Sequence, residues 1–217
     1  MISAIILAGG SSTRFGGEIP KQFLEFEGRK LIDFTISLFS SIQEINEIII
    51  VVPDQYKQEI QEKYPKNKIV SGGKTRKESS YNGILACNKN TNKVLIHDAA
   101  RIFVTTELIK KCILSLNDNY AVTLAIPVVD TIALCEDNKI KKMEDRNNLR
   151  AIQTPQGFDF NKIKLAHETF KGDTTDDIRL MLDSGFKCKI INGHEDNFKI
   201  TTQSDFQLAK QKIKGLK

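Results

Sequence analysis

Two consecutive glycines and two basic residues follow the first apolar run of the chain. The run covers residues 2–7 and is typical of a buried strand; Gly9 and Gly10 come next, and then Arg14 and Lys21. A glycine turn exposes backbone N–H groups without side chains that would block a ligand, and these donors together with two cations suit a triphosphate. Two glycines alone would favour a tight turn with solvated basic residues, but the added arginine and lysine favour a phosphate site.

Two later turns carry polar residues that could complete the same site. Residues 71–73 (Ser-Gly-Gly) follow a predicted strand at 68–70, and residues 97–101 (His-Asp-Ala-Ala-Arg) follow another at 93–96. The carboxyl ends of parallel strands lie at the same edge of a sheet. We therefore expect the three turns to form one pocket.

The pattern of strands and helices predicts an α/β fold with a mostly parallel sheet flanked by helices. The further predicted strands are 46–53, 121–128 and 187–191, and the predicted helices are 30–40, 55–64, 75–87, 106–116, 161–170, 175–182 and a closing helix from Ser204. Residues 153–156 are predicted to form a turn, and the carboxylates of Asp176 and Asp177 suit capping of the helix at 175–182.

Residues 130–150 interrupt this alternation. Polar segments at 131–134 and 139–143 alternate around 136–138, which is the pattern of a β-hairpin. Such a hairpin has little core of its own, so we expect a projecting arm; a plain surface excursion is the alternative.

The amino-acid composition limits the kinds of protein that this chain can be. The chain has 217 residues, 40% hydrophobic and 27% charged, which fits one domain over residues 1–217. The net charge is +5, but the basic residues are scattered, which favours anionic small molecules over nucleic acid. The four cysteines form no C-x-x-C pair, and no apolar run is long enough for a membrane span. We expect a cytoplasmic protein that binds no membrane.

Two common nucleotide motifs are excluded. A P-loop ending at residues 73–75 would need glycine at position 68, where the chain has Lys68. The dinucleotide fingerprint is also missing, because Gly10 is followed by Ser11 and Ser12.

A series of motifs occurs in the order and spacing of one enzyme family. They are LAGGSSTRF, PKQF, GGKTRKES, HDAAR, DTI, DRNNL, QTPQGF, TTDD and EDNFKITT. With them the chain resembles the 2-C-methyl-D-erythritol 4-phosphate cytidylyltransferases from Ile2 to about Ala209. The resemblance implies a Rossmann-like nucleotidyltransferase fold and transfer of a cytidylyl group from CTP to a polyol phosphate, with release of pyrophosphate.

Two other functions stay open at this point. Relatives that act on ribitol 5-phosphate share most of these motifs, although the Asp145-Arg146 pair and the second alanine of HDAAR resemble the erythritol branch more. A nucleotide-binding module without turnover is the remote alternative, and the intact basic and acidic residues of the site argue against it.

The resemblance also implies roles for individual residues. Arg14 and Lys21 would hold the triphosphate and stabilise the pentacoordinate phosphorus, and Lys199 would reach the α-phosphate. A divalent ion, most simply Mg²⁺, would bridge phosphate oxygens with Asp98 as its protein ligand. The residues implied to bind the nucleotide are Ala8, Gly9, Gly10, Gly73, Ser79 and Asp98.

Four residues are implied for the acceptor: Arg101, Thr131, Arg146 and Thr154. In the family the arm crosses to a second subunit, so Thr131 and Arg146 would serve the partner's site in a homodimer, with Arg146 close to the reaction. A structural ion pair between Asp98 and Arg101 is the alternative for those two residues. We expect His97 to be packed and hydrogen-bonded rather than a base, and the two histidines at 167 and 194 to lie at the surface.

Overall fold

The computed structural model describes residues 1–10, 15–16 and 19–215. Its strands are β1 (Ile2–Leu7), β2 (Glu25–Phe26), β3 (Arg29–Lys30), β4 (Glu47–Val52), β5 (Lys68–Ser71), β6 (Lys93–Asp98), β7 (Ala121–Pro127), β8 (Ala133–Glu136), β9 (Lys139–Met143), β10 (Arg150–Asp159) and β11 (Cys188–Asn192). Its α-helices are α1 (Leu31–Ser40), α2 (Asp54–Lys63), α3 (Arg76–Ala86), α4 (Thr106–Ser115), α5 (Phe160–Thr169), α6 (Asp177–Asp183) and α7 (Gln203–Lys214).

Seven strands form the central sheet, in the order β11-β7-β10-β6-β1-β4-β5. Strand β10 runs antiparallel to β6 and β7, and the other neighbouring pairs are parallel. The predicted α/β fold with a mostly parallel sheet is confirmed.

Both faces of the sheet are covered, which explains why β1 and β4 are apolar at almost every position. Ala4 and Ile6 pack into one core with α1 and α4, whereas Ile5 and Leu7 pack into the other with α3, α5 and α6. Successive side chains of a strand point to opposite faces, so a strand between two helical layers needs apolar residues throughout. A third, smaller cluster joins α7 to the loop after β6 through Ile200, Phe206 and Ala100.

The predicted turn at 153–156 is wrong, because these residues lie inside β10. The pairing of β10 with β7 is irregular between Gln153 and Gln156, and the peptide bond between Thr154 and Pro155 is cis. Proline cannot donate a ladder hydrogen bond, so it is accepted within a strand only where the pairing is interrupted. The proline of this segment, which favoured a turn in the sequence, thus marks the irregular pairing within β10.

The arm forms as the two-stranded sheet β8-β9, separate from the central sheet. Asp137 and Asn138 connect its strands with φ of 49° and 60°, the left-handed values that suit a two-residue hairpin. Every residue of β9 is exposed, so the arm buries little surface within this chain.

None of the described helices has the length and apolar sequence that a membrane crossing requires.

Candidate active site

The carboxyl ends of β1, β5 and β6 surround a cavity of about 460 Å³. Gly9 and Gly10 line it from the turn after β1, Gly73 from the turn after β5, and Asp98 from the end of β6. Parallel strands bring their carboxyl ends to one edge, so the three turns meet as the sequence predicted.

The glycine turn after β1 is held by a buried glutamine that sequence reasoning did not single out. The side-chain amide of Gln22 donates to the carbonyl of Ala8 at 2.6 Å and to that of Gly10 at 2.9 Å. The neighbouring Lys21 also lines the cavity, and its contact with a triphosphate stays a prediction. Arg14 lies outside the described residues. The only sequence signal for Gln22 was its place in the PKQF motif beside Lys21.

The turns after β1 and β5 touch each other, which leaves little room for a side chain at Gly9 or Gly72. A Cβ on Gly72 would lie 3.3 Å from the Cα of Gly9, and a Cβ on Gly9 would lie 3.1 Å from Oγ of Ser79. The Ser79 hydroxyl accepts from the amide of Gly73 and donates to the carbonyl of Thr75. Ser79, which the resemblance implies to bind the nucleotide, therefore shapes the wall of the cavity.

Helix α3 begins at this cavity. Thr75 caps the helix by accepting from the amide of Glu78, and Lys74, Thr75 and Arg76 all line the cavity. A helix N-terminus carries a partial positive charge, which favours an anionic ligand. The sequence did not single out Arg76, although it stands only three residues after Gly73.

A buried chain of hydrogen bonds sets the backbone of Asp98. Its amide donates to Oγ1 of Thr154, and that hydroxyl lies 3.1 Å from Nδ1 of His97. Nε2 of His97 lies 3.1 Å from the carbonyl of Arg101, which can only accept, so Nε2 carries the proton and Nδ1 accepts from Thr154. Burial lowers the pKa of His97 to about 4, and the ring is neutral near pH 7. His97 is thus packed and hydrogen-bonded, as predicted.

The carboxylate of Asp98 lies between two cations. Nζ of Lys199 is 2.7 Å from Oδ2, and Nε of Arg76 is 3.6 Å from Oδ1. Burial alone would raise the pKa of Asp98, but Lys199 and Arg76 outweigh it and hold the pKa below its usual range. The predicted alternative of an ion pair with Arg101 is wrong, because the Arg101 guanidinium donates to the carbonyls of Asn197 and Ile152.

The chemistry of Asp98 fits a Mg²⁺ ion that is held mainly by substrate. Magnesium is commonly bound through one or two carboxylates together with substrate phosphates. Asp98 offers one carboxylate at a cavity lined by three lysines, Lys21, Lys74 and Lys199. The described residues hold no group of three or more histidines, cysteines or acidic residues that could bind a metal.

The residues implied for the acceptor do not line this cavity. Thr131 and Arg146 are exposed residues of the arm, and Nη1 of Arg146 donates to the carbonyl of Val129. Thr154 is buried beneath Asp98, and Arg101 is held by backbone carbonyls. Their contact with an acceptor stays a prediction.

The surface prediction for His167 is wrong. Its side chain is fully buried, and Nε2 lies 3.2 Å from Oδ1 of Asp177, the first residue of α6. His194 is exposed, as predicted. Asp176, not Asp177, caps α6, since its side chain accepts from the amide of Ile178.

Known proteins share both the sequence and this fold. The sequence model of the 2-C-methyl-D-erythritol 4-phosphate cytidylyltransferase family matches residues 2–214. The chain belongs to this family. A member from Clostridioides difficile strain 630 is 39% identical over 97% of this chain and 93% of its own length. One from Caldanaerobacter subterraneus is 41% identical over 96% of both chains.

The structure places the chain with the same family. The crystal structure of the 4-diphosphocytidyl-2C-methyl-D-erythritol synthase from Anaerococcus prevotii superposes with a TM-score of 0.87 at 32% identity, covering 98% of this chain and 96% of that one. The structure of the 2-C-methyl-D-erythritol 4-phosphate cytidylyltransferase from Thermus thermophilus has a TM-score of 0.82 at 27% identity, with 98% of both chains covered. Family membership therefore extends over the cavity and the arm together.

Proposed function

We propose that this chain transfers a cytidylyl group from CTP to 2-C-methyl-D-erythritol 4-phosphate and releases pyrophosphate. The observation that carries the proposal is one cavity that joins two glycine turns, a helix N-terminus, three lysines and Asp98, in a chain that matches the family over residues 2–214. In the reaction, a phosphate oxygen of the acceptor forms a bond to the α-phosphorus of CTP. The bond from that phosphorus to the bridging oxygen breaks, and pyrophosphate leaves with the electron pair.

The side chains of the cavity suit the electrostatics of this reaction. Attacking group, α-phosphate and leaving group are all anionic, so the protein must position them in line and neutralise charge. Lys199 and Lys21 supply cations, and the start of α3 supplies backbone N–H groups. Lys199 pairs with Asp98 at 2.7 Å. We propose that this pair opens on binding, so that Lys199 contacts the nucleotide and Asp98 its cation.

We propose Mg²⁺ as the cofactor, with Asp98 as its protein ligand. When bound, the ion would neutralise phosphate oxygens and orient the triphosphate. Arg14 would contribute a further cation, in keeping with the resemblance.

We also propose a homodimer in which the arm, residues 130–150, reaches the partner's site. The arm presents Leu134, Ile140 and Met143 with more than half of each side-chain surface exposed, which favours burial against another surface. Thr131 and Arg146 would then bind the acceptor in trans. A cytoplasmic location is supported by the four free cysteines, which suit a reducing compartment.

The experiment measures pyrophosphate release by the purified protein with CTP and Mg²⁺. The two acceptors are 2-C-methyl-D-erythritol 4-phosphate and ribitol 5-phosphate at equal concentration. A clear preference for the first supports the proposal, and a preference for ribitol 5-phosphate replaces the acceptor while keeping the CTP chemistry. No release with either acceptor contradicts the proposal.

A further inference from the structure

A second buried carboxylate lies behind the cavity. Asp177 is fully buried and does not line the cavity, yet it accepts from Nη1 of Arg76 at 2.6 Å and from the hydroxyl of Ser80 at 2.7 Å. Nε2 of His167 lies 3.2 Å from the same carboxylate. Three side chains from α3 and α5 thus converge on the first residue of α6.

Arg76 connects this buried carboxylate to the cavity. One end of its guanidinium pairs with Asp177, and its Nε faces Asp98 at the longer distance of 3.6 Å. A charge-assisted hydrogen bond between such groups is about 2.7–2.9 Å long. Arg76 is therefore committed to Asp177 and lies near Asp98 without a direct hydrogen bond to it.

Arg76 contacts Asp177 more closely than Asp98, and this difference affects Asp98, the carboxylate that faces the cavity. Lys199 already pairs with Oδ2 of Asp98, and Arg76 faces Oδ1. A guanidinium that paired closely with Oδ1 would compete with a bound cation for the same lone pairs. Nη2 of Arg76 is buried and has no hydrogen-bond partner within the described part of the chain, so the guanidinium has a donor to spare for a second carboxylate. The stronger contact with Asp177 keeps that donor away from Asp98.

We infer that Asp177 is a positioning residue that holds Arg76 back from Asp98 and so keeps the Asp98 carboxylate available to the cation that accompanies CTP. The inference rests on the proposed function for the identity of that cation and nucleotide. Asp177 acts through Arg76, since it does not line the cavity itself.

The test compares Asp177→Asn with the wild-type protein. Asparagine keeps the size and the carbonyl oxygen that Ser80 can bond, but it loses the charge that attracts Arg76. We measure the Kd for Mg²⁺ by titration calorimetry on protein saturated with α,β-methylene CTP, which cannot be cleaved at the bond that breaks in the reaction. We expect the Kd for Mg²⁺ to rise about 10-fold or more, the scale seen when a residue behind a metal ligand is changed.

The matched control is Asp183→Asn. Asp183 lies at the end of the same helix α6 and is paired with Arg179 at the surface. We expect this variant to bind Mg²⁺ as the wild type does.

The double variant Arg76→Gln/Asp177→Asn separates positioning from a merely structural role. It removes both buried charges, so it leaves neither charge unpaired and serves also if Asp177→Asn alone fails to fold. Without the guanidinium only Lys199 still pairs with Asp98, as it does in the wild type, and we expect the Kd for Mg²⁺ to return to the wild-type value or below. A structural role would weaken Mg²⁺ binding in both variants alike.

Three results would overturn the inference. These are an unchanged Kd in Asp177→Asn, equal weakening in the single and double variants, and no Mg²⁺ binding by the wild-type complex. Product formation by the wild type, measured in parallel, shows whether the proposed function fails with the inference or stands without it.

Discussion

The side chain of Asp98, at the end of β6, is charged and is held in place by its neighbours. Asp98 receives its backbone position from Thr154 and His97, and its carboxylate lies between Lys199 and Arg76. The contacts with Thr154 and His97 are buried and those with Lys199 and Arg76 are partly buried, where an electrostatic interaction is stronger than in bulk water. These side chains therefore form a preorganised set of charges for an anionic ligand.

Replacing Lys21 tests its role in charge neutralisation. We expect Lys21→Ala to lower turnover by about 100-fold or more, because a preorganised donor to the transition state is lost. The KM for CTP should change much less than turnover. Steady-state pyrophosphate release checks this, with the exposed Lys89→Ala as a control of equal charge change. Unchanged turnover would remove Lys21 from the reaction.

Because Asp177 is a buried, paired carboxylate, we expect the stability of the fold to depend on pH. Burial alone would raise its pKa, but Arg76, His167 and Ser80 lower the pKa to about 2, from an ordinary 3.8. A carboxyl with a depressed folded pKa stabilises the fold above its unfolded pKa and loses this contribution as the pH falls toward the folded pKa. We expect about 2 kcal/mol of the free energy of unfolding to be lost between about pH 4 and pH 2 on this account.

Urea unfolding at several pH values from 5 downward measures this loss. The free energy of unfolding should fall less steeply with acid in Asp177→Asn than in the wild type, and Asp183→Asn should follow the wild type. Parallel curves for wild type and Asp177→Asn would contradict the assignment.

Helix α3 is the element that connects the sheet to the cavity. It begins with Arg76 at the cavity edge, carries Ser79 against the glycine turns, and packs on β1 and β4 through Gly83. A Cβ at Gly83 would lie 2.5 Å from Cγ2 of Ile5. The close approach of helix and sheet at this glycine therefore sets the position of the helix start.

Gly83→Ala weighs helix propensity against packing. Alanine would favour the helix by about 1 kcal/mol, whereas overpacking a buried contact costs about 1–3 kcal/mol. Because the Cβ would lie well inside van der Waals distance, we expect a net loss of free energy of unfolding and a raised KM for CTP as α3 shifts. Gly215→Ala is the control, since the atom nearest to its Cβ, the carbonyl oxygen of Lys212, would be an ordinary 3.6 Å away. A more stable Gly83→Ala protein would contradict the packing argument.

The chain forms a core, whose turns line the cavity, and an arm, residues 130–150, that does not line the cavity. The cavity is lined by residues from the turns after β1, β5 and β6, and by Lys199 and Thr201 near α7. Arg146, implied for the acceptor, lies in the arm and is not part of this lining. If the arm serves a partner, the active unit is a dimer with each site built from two chains.

Mixing two inactive variants tests this arrangement. In a heterodimer of Lys21→Ala and Arg146→Ala, one site carries both changes and the other carries neither. Random pairing of subunits should therefore restore about a quarter of the wild-type activity, because half of the dimers are mixed and each holds one intact site. Co-expression of the two variants followed by an activity assay measures this. No recovery in confirmed heterodimers would place Arg146 in the site of its own chain.

The local patterns of the sequence were sufficient for most elements of the central sheet. β1 and β4 were predicted because strands covered on both faces need continuous apolar residues, and the start of α3 was predicted to within one residue. The segment 153–156 was predicted wrongly because its proline signals a break that a turn and an interrupted strand pairing share. Only the neighbouring strand β7 distinguishes the two.

The sequence by itself determined the α/β fold, the meeting of three turns at one edge, and the residue types that suit a phosphate ligand. Tertiary structure alone decided which charges pair: Asp98 with Lys199 and Arg76 rather than with Arg101, and His167 with Asp177 in the interior. Periodicity and turn residues report the conformation of a few neighbouring positions, and these predict elements. The partner of a buried charge lies about 100 positions away for both Lys199 and Arg76, so only the packing of α3, α6 and the segment before α7 brings the pairs together.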